Sequence, residues 1–203
     1  FGTPLVDGRQ LPALRDKNYN VGDSTIRYDD RWSELGAEWT PQAGITLRAR
    51  LYHIDSQRHY RNAERYIYNS ATGLVDRSDD TDILHDQRQT GASVTASRAG
   101  SVLGLKNQAA LGVDFSRSSF QHTNNTYAGR PDPASVDPFD PVAGQFVSEQ
   151  PTVPRYRNGA RQYAVFAENR LEVTPAWSVL AGARYDHAVV DRRNLVSGLA
   201  EFE

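Results

Sequence analysis

Cysteine is missing from all 203 residues, so the chain has neither a disulfide framework nor a thiolate metal site. Lysine is almost missing: Lys17 and Lys106 are the only two among 23 basic side chains, which leaves 21 arginines. A surplus of either charge is lacking too, since the formal net charge is −2, and nothing in it argues for nucleic-acid binding. No stretch comes near the roughly 18 consecutive apolar residues of a membrane-spanning helix, which excludes a helical membrane protein. The composition, 38% hydrophobic and 24% charged with a mean hydropathy of −0.63, is polar enough for water. It is equally compatible with a β-barrel wall, because half of each barrel strand faces the lumen and the long loops are polar.

Signatures of catalysis and metal binding are lacking as well. There is no Ser-centred elbow, no Gly-rich phosphate loop and no pair of histidine ligands. His85 and Asp86 are adjacent in a strand pattern, which sends them to opposite faces and reads as a solvated pair. Asp79, Asp80 and Asp82 lack the spaced glycine and distal glutamate of a calcium loop, and read as a solvated acidic loop. Asn124-Asn125-Thr126 would accept a glycan only in a eukaryotic secretory setting, which nothing else supports. The expectation is a protein that is not an enzyme and has no cofactor and no metal.

What is present is alternation. From Gly159 to Asp186 two runs of period two are joined by a short turn. On the first, Tyr163, Val165, Ala167, Asn169, Leu171 and Val173 share a face against Gln162, Ala164, Phe166, Glu168, Arg170 and Glu172. On the return, Trp177, Val179, Ala181, Ala183 and Tyr185 share a face, and the link Thr174-Pro175-Ala176 brings both apolar sets to the same side. Ten steps at about 3.3 Å and a tilt near 45° give a stripe roughly 23 Å tall, close to the apolar band of an outer-membrane barrel strand. Tyr163 and Tyr185 edge it at the open end and Trp177 at the turn, where rings settle at the two water interfaces.

The same design recurs upstream. Leu35, Ala37 and Trp39 lead through a turn at Thr40 to Gly44 into Ile45, Leu47, Ala49 and Leu51, and this register sets Glu34 opposite Arg50. A third strand carries Thr90, Ala92, Val94 and Ala96 outward, and a fourth carries Leu103, Leu105, Asn107, Ala109, Leu111, Val113 and Phe115. Strands are expected over about 27–40, 45–57, 83–97, 103–118, 161–173 and 177–190, with long loops over about 58–82 and 121–158. The stretch 58–82 could hold a small hairpin of its own. Residues 1–24 read as a loop segment, extracellular in the barrel reading. Connections that alternate short and long are the rhythm of a barrel with short periplasmic turns and long extracellular loops. A β-sandwich instead shows turn signals every 8 to 12 residues. The competing expectation is a soluble extracellular β-sandwich used for adhesion or carbohydrate binding, in which Leu111, Val165 and Val179 would meet across two sheets.

The residues also carry a family resemblance. Gln162, Tyr163, Trp177 and Gly182-x-Arg184-Tyr185-Asp186 resemble the strand-turn-strand signature of TonB-dependent siderophore receptors. LGVDFSRSSF at 111–120 is similar to that family's strand ending before a large loop, VDPFDPVAG at 136–144 to its Asp-Pro-rich loop turn, and GTPLVDGRQLP near the start to its loop before a mid-barrel strand. The resemblance spans nearly the whole chain. It implies an all-β antiparallel up-and-down meander of about six strands, part of a 22-stranded transmembrane β-barrel closed by an N-terminal plug. It further implies a place in the Gram-negative outer membrane and import of ferric siderophores with energy from the TonB complex, which would be contacted through an N-terminal part not found in this stretch. With no initiator methionine, signal segment or terminal strand pattern, the chain is expected to be an internal piece of a larger receptor. By itself that piece should not transport; it should contact outer-membrane lipid and self-associate through its unpaired edges. Ferric siderophores combine oxygen-rich chelates with apolar or aromatic parts, which tyrosine and arginine at loop tips suit by hydrogen bonding, stacking and charge. The candidate ligand-binding residues are Tyr66, Tyr68, Tyr127, Arg130, Arg155, Tyr156 and Arg157.

Overall fold

The computed structural model describes residues 3–125, 135–148, 150–197 and 200–202. Six long strands follow one another: β1 (Thr25–Gln42), β2 (Ile45–Asn69), β3 (Leu74–Val102), β4 (Leu105–Asn124), β5 (Val153–Thr174) and β6 (Trp177–Asn194). A short β7 (Ala200–Phe202) pairs antiparallel with β6, setting Asp191 against Phe202. Their order in the sheet is their order in the chain, an all-β antiparallel meander as the alternation predicts. Among the described residues no helix is long and apolar enough to cross a membrane.

The short links have the turn chemistry that tight hairpins need. Between β3 and β4, Leu103 and Gly104 both take positive φ, 51° and 80°, the combination a two-residue type I′ turn requires to match strand twist. After β5, the Thr174 hydroxyl accepts the Trp177 amide at 3.1 Å and turns the chain into β6.

Where the strands end differs from expectation. Residues 58–82 are not a long loop: β2 continues to Asn69 and β3 begins at Leu74, leaving a turn of four residues closed by the Gly73 amide on the Asn69 carbonyl at 2.8 Å. β4 likewise runs on to Asn124 and β5 starts at Val153, well outside 103–118 and 161–173. These extensions lack an apolar alternation because neither of their sides forms a continuous greasy face, so backbone pairing proceeds without the sequence period that marks it.

The chain divides into two compact units. The first comprises Phe1–Asp29, Gln57–His85 and Gln121–Tyr156; the second comprises Asp30–Ser56, Asp86–Phe120 and Arg157–Glu203.

In the second unit Ala164 is the single buried hydrophobic side chain among the described residues. The apolar stripe lies open, with Trp39 at 64%, Leu111 at 62% and Val179 at 58% exposure. On the opposite side Arg50 pairs with Glu34 at 2.8 Å, Arg48 with Glu38 at 2.6 Å, and Arg184 with both Asp114 at 2.7 Å and Asp186 at 2.9 Å. The Tyr52 ring lies over Gly91 and the Phe166 ring over Gly112, where a Cβ would overlap ring atoms; each aromatic covers the gap its neighbouring glycine leaves. On the stripe itself, Asn107 and Asn169 bond each other's amides at 2.9 and 3.3 Å, so two polar groups on a greasy face satisfy one another. The β-sandwich expectation fails here: the described strands form a single sheet, and Leu111, Val165 and Val179 are exposed.

The first unit has a core of its own. Tyr19, Val75 and Val136 cluster with Tyr66 and Tyr68 packed against them, and Leu14, at the end of a 3₁₀ turn Pro12–Leu14, is fully buried. Asn62, Arg77, Asp80, Thr81 and Asn125 are buried with them. The segment 135–148 is held by the Tyr19 hydroxyl on the Pro138 carbonyl at 2.7 Å and the Gly22 amide on the Gly144 carbonyl at 2.7 Å. Two carboxylates complete the attachment: Asp23 accepts the Phe146 amide at 2.7 Å and Asp80 accepts the Val147 amide at 2.9 Å. Asn125 ties these together, its oxygen accepting the Asp82 amide at 2.9 Å while its nitrogen donates to the Asp80 carbonyl at 2.7 Å and to Ser148 Oγ at 2.8 Å.

Candidate ligand-binding site

The strongest convergence of chemically active side chains is a row across β1 to β5 within the first unit. Hairpin register builds it. Arg58 and His85 each lie eleven residues from the ends of the β2–β3 turn, Asn69 and Leu74, so they face one another across the pair. His85 and His122 each lie seventeen residues from the ends of the β3–β4 turn, Val102 and Leu105.

Contacts follow that register. The Arg58 guanidinium lies 5.7 Å from the Tyr28 ring centre and 5.2 Å from that of Tyr60, both within cation–π range. His85 Nε2 and His122 Nδ1 are 2.8 Å apart, one donating and the other accepting. The Tyr156 ring stacks on His122 with centroids 4.9 Å apart and planes 9° from parallel. Both histidines lie beyond the apolar stripes, which start at Thr90 on β3 and end at Phe115 on β4. Burial first, then the His122 and Arg58 charges, hold His85 below its ordinary value; burial and Arg155 do the same for His122. Both shifts disfavour the protonated forms, and the shared hydrogen bond needs at least one neutral ring to accept it.

The row thus reads Tyr28, Arg58, His85, His122, Tyr156. At the usual strand spacing it is roughly 19 Å long. It offers flat π surfaces, one fixed positive charge and polar imidazole edges.

Of the residues expected from sequence, Tyr156 sits in this row. Arg155, next to it, donates from Nε to the Asn124 side-chain oxygen at 2.8 Å. Tyr66 and Tyr68 pack on the first unit's cluster, with the Tyr66 hydroxyl donating to the Ala63 carbonyl at 2.7 Å. Burial, ahead of the neighbouring Tyr60, pushes the Tyr66 phenol up to about 12. Arg157 is exposed and belongs to the second unit. Tyr127 and Arg130 fall outside the described residues.

Two readings of polar clusters change. His85 is not one half of a solvated pair with Asp86 but the partner of His122. Asp80 and Asp82 are not a solvated acidic loop: Asp80 is 7% exposed, and Asp82 takes His59 at 2.7 Å and Thr152 at 2.8 Å. Among the described residues no cluster of three or more histidine or acidic groups is arranged to hold a metal ion. The sequence candidates lack Tyr28, Arg58, His85 and His122 because their neighbours across the strands are about 30 to 40 residues away; counting outward from the Leu103-Gly104 turn finds the histidine pair.

Long antiparallel strands in chain order, apolar and uncovered on one side and ion-paired on the other, define a segment of a transmembrane β-barrel wall. The chain belongs to the TonB-dependent receptor-like β-barrel family, whose model matches residues 2–201. That family consists of transporters and receptors rather than enzymes, and is found in the outer membrane of Gram-negative bacteria.

Solved structures agree on the fold. The siderophore receptor PiuA from Acinetobacter baumannii matches with a TM-score of 0.76 at 15% identity, over 90% of this chain and 29% of PiuA. BauA, the ferric preacinetobactin receptor from the same organism, matches with a TM-score of 0.69 at 14% identity, over 88% of this chain and 27% of BauA. Fiu, the ferric-catecholate import receptor of Escherichia coli K12, matches with a TM-score of 0.66 at 11% identity, over 87% of this chain and 28% of Fiu. The chain spans less than a third of the length of each. A search of curated proteins gives no significant sequence match.

Proposed function

We propose that this chain is a stretch of wall and loops from an outer-membrane receptor that imports ferric siderophores, energised through TonB. The observation that carries the reading is the two-faced second unit, whose open stripe suits hydrocarbon while its ion-paired side suits a wet interior. The siderophore receptors among the structural neighbours support the cargo class. In this reading the complete barrel has 22 strands, and a plug elsewhere in the receptor meets TonB. On the same reading Tyr156, Arg155, Arg157, Tyr127 and Arg130 supply ligand contacts, and Tyr66 and Tyr68 pack in the first unit's core.

The test is uptake of radiolabelled iron by an iron-starved Gram-negative host that carries the full-length receptor. Uptake with at least one siderophore class, abolished when TonB is deleted, is the expected result. Uptake indifferent to TonB, or none with any ferric siderophore, would overturn the assignment.

A further inference from the structure

The five-strand row is rich in ring surface. None of its five members is acidic, and two of its contacts are made through π faces: Arg58 over Tyr28, and Tyr156 flat against His122. His85 and His122 share one hydrogen bond at 2.8 Å, burial disfavours charge on both, and the His122 ring is stacked on Tyr156. Arg58 is the row's fixed cation, placed three strands from Tyr156 with the imidazole pair on the two strands between. A ferric chelate that carries several flat rings with anionic oxygens is wide enough to use every part of this set. One ring would stack beside Tyr156 and His122, an imidazole N–H would reach an oxygen, and the guanidinium would offset negative charge elsewhere on the chelate. An open-chain chelate would leave the ring faces unmatched.

We propose that the row Tyr28, Arg58, His85, His122 and Tyr156 recognises the aryl-oxygen groups of a ferric chelate and selects aromatic over aliphatic siderophores. This rests on the receptor reading above and specifies its cargo.

The experiment is a fluorescence titration of the purified full-length receptor in detergent, with ferric triscatecholate and ferric aliphatic trihydroxamate as the two probes. Wild type should bind the catecholate more tightly. Arg58→Ala and Tyr156→Ala should each weaken catecholate binding by about tenfold or more, while leaving whatever hydroxamate binding exists unchanged. Tyr156→Phe keeps the stacking ring and should retain near-normal affinity, which separates lost stacking from misfolding. Unchanged catecholate affinity in both alanine variants, an equal loss for both probes, or a wild-type preference for the hydroxamate would each overturn the selection. Should wild type bind no ferric chelate of either kind, the receptor reading itself falls and takes the row's assignment with it.

Discussion

The two units of this chain are held in different ways. The first encloses its side chains: Leu14, Val21, Ala63 and Val75 are buried together with Asn125 and Thr81, and hydrogen bonds link its three separate stretches of sequence. The second encloses almost nothing, and its charges pair in the open, where each pair contributes about 1 kcal/mol or less. Backbone pairing alone does not hold a single exposed sheet against water, so the second unit depends on what covers its stripe, whereas the first brings its own interior. A wall and its loops thus differ in where their stabilising partners come from: one from a surrounding phase, the other from distant parts of the same chain.

The largest way to break that contrast is to charge the stripe. In the full-length receptor folded into lipid vesicles, Leu111→Arg should lower stability by about 2–4 kcal/mol, since an arginine near the bilayer midplane is opposed by hydrocarbon. Gln108→Arg, on the ion-paired side of the same strand, should change it by well under about 1 kcal/mol. Equal effects by urea titration would erase the distinction between the two faces.

A smaller effect should come from the first unit. Asn125→Ala strips partners from the buried Asp82 amide and Asp80 carbonyl, at a cost of about 1–3 kcal/mol. Faster hydrogen exchange should be confined to the neighbourhood of Val147 and Ser148, with the second unit's strands unaffected. Exchange that rises evenly along the chain would show that the units do not open separately.

Smaller still is the response to pH. Tyr66, pushed up from 10.0 to about 12 chiefly by burial, ionises more readily when unfolded. Its contribution to stability is complete below pH 10 and is lost as the pH rises through about 12. An absorbance titration should show a late phenolate step that Tyr66→Phe removes. On the acid side, Asp76 is held below its ordinary 3.8 by hydrogen bonds from Ser135 and Asn69, so its contribution is present above that value and is lost as the pH falls further. A phenol titrating at its ordinary value would mean that Tyr66 is not packed as described.

What could be read from sequence follows the same division. The hairpin of β5 and β6 was legible because one side meets an apolar phase and the other does not, which imposes a strict period of two on Tyr163 to Val173 and on Trp177 to Tyr185. The extended ends of β2 and β3 were legible only as a small hairpin within 58–82, because polar residues such as Arg77, Asp80 and Thr81 are buried there by partners far along the chain, and no local pattern encodes such partners. The candidate row was legible in one of its five members. Tyr156 stood out by residue type beside a long connection, whereas Arg58, His85 and His122 acquire meaning only once three hairpin registers bring them into line.

The attachment of residues 135–148 has an evolutionary corollary. Asp23 and Asp80 grip the amides of Phe146 and Val147, and Tyr19 grips the Pro138 carbonyl, so the anchors act on main chain that almost any residue would present. Exposed side chains along this segment, such as Phe139 and Val142, can therefore drift under selection while its course is kept and Val136 stays in the core. A lineage could retune the exposed positions of this stretch one substitution at a time without having to rebuild its path.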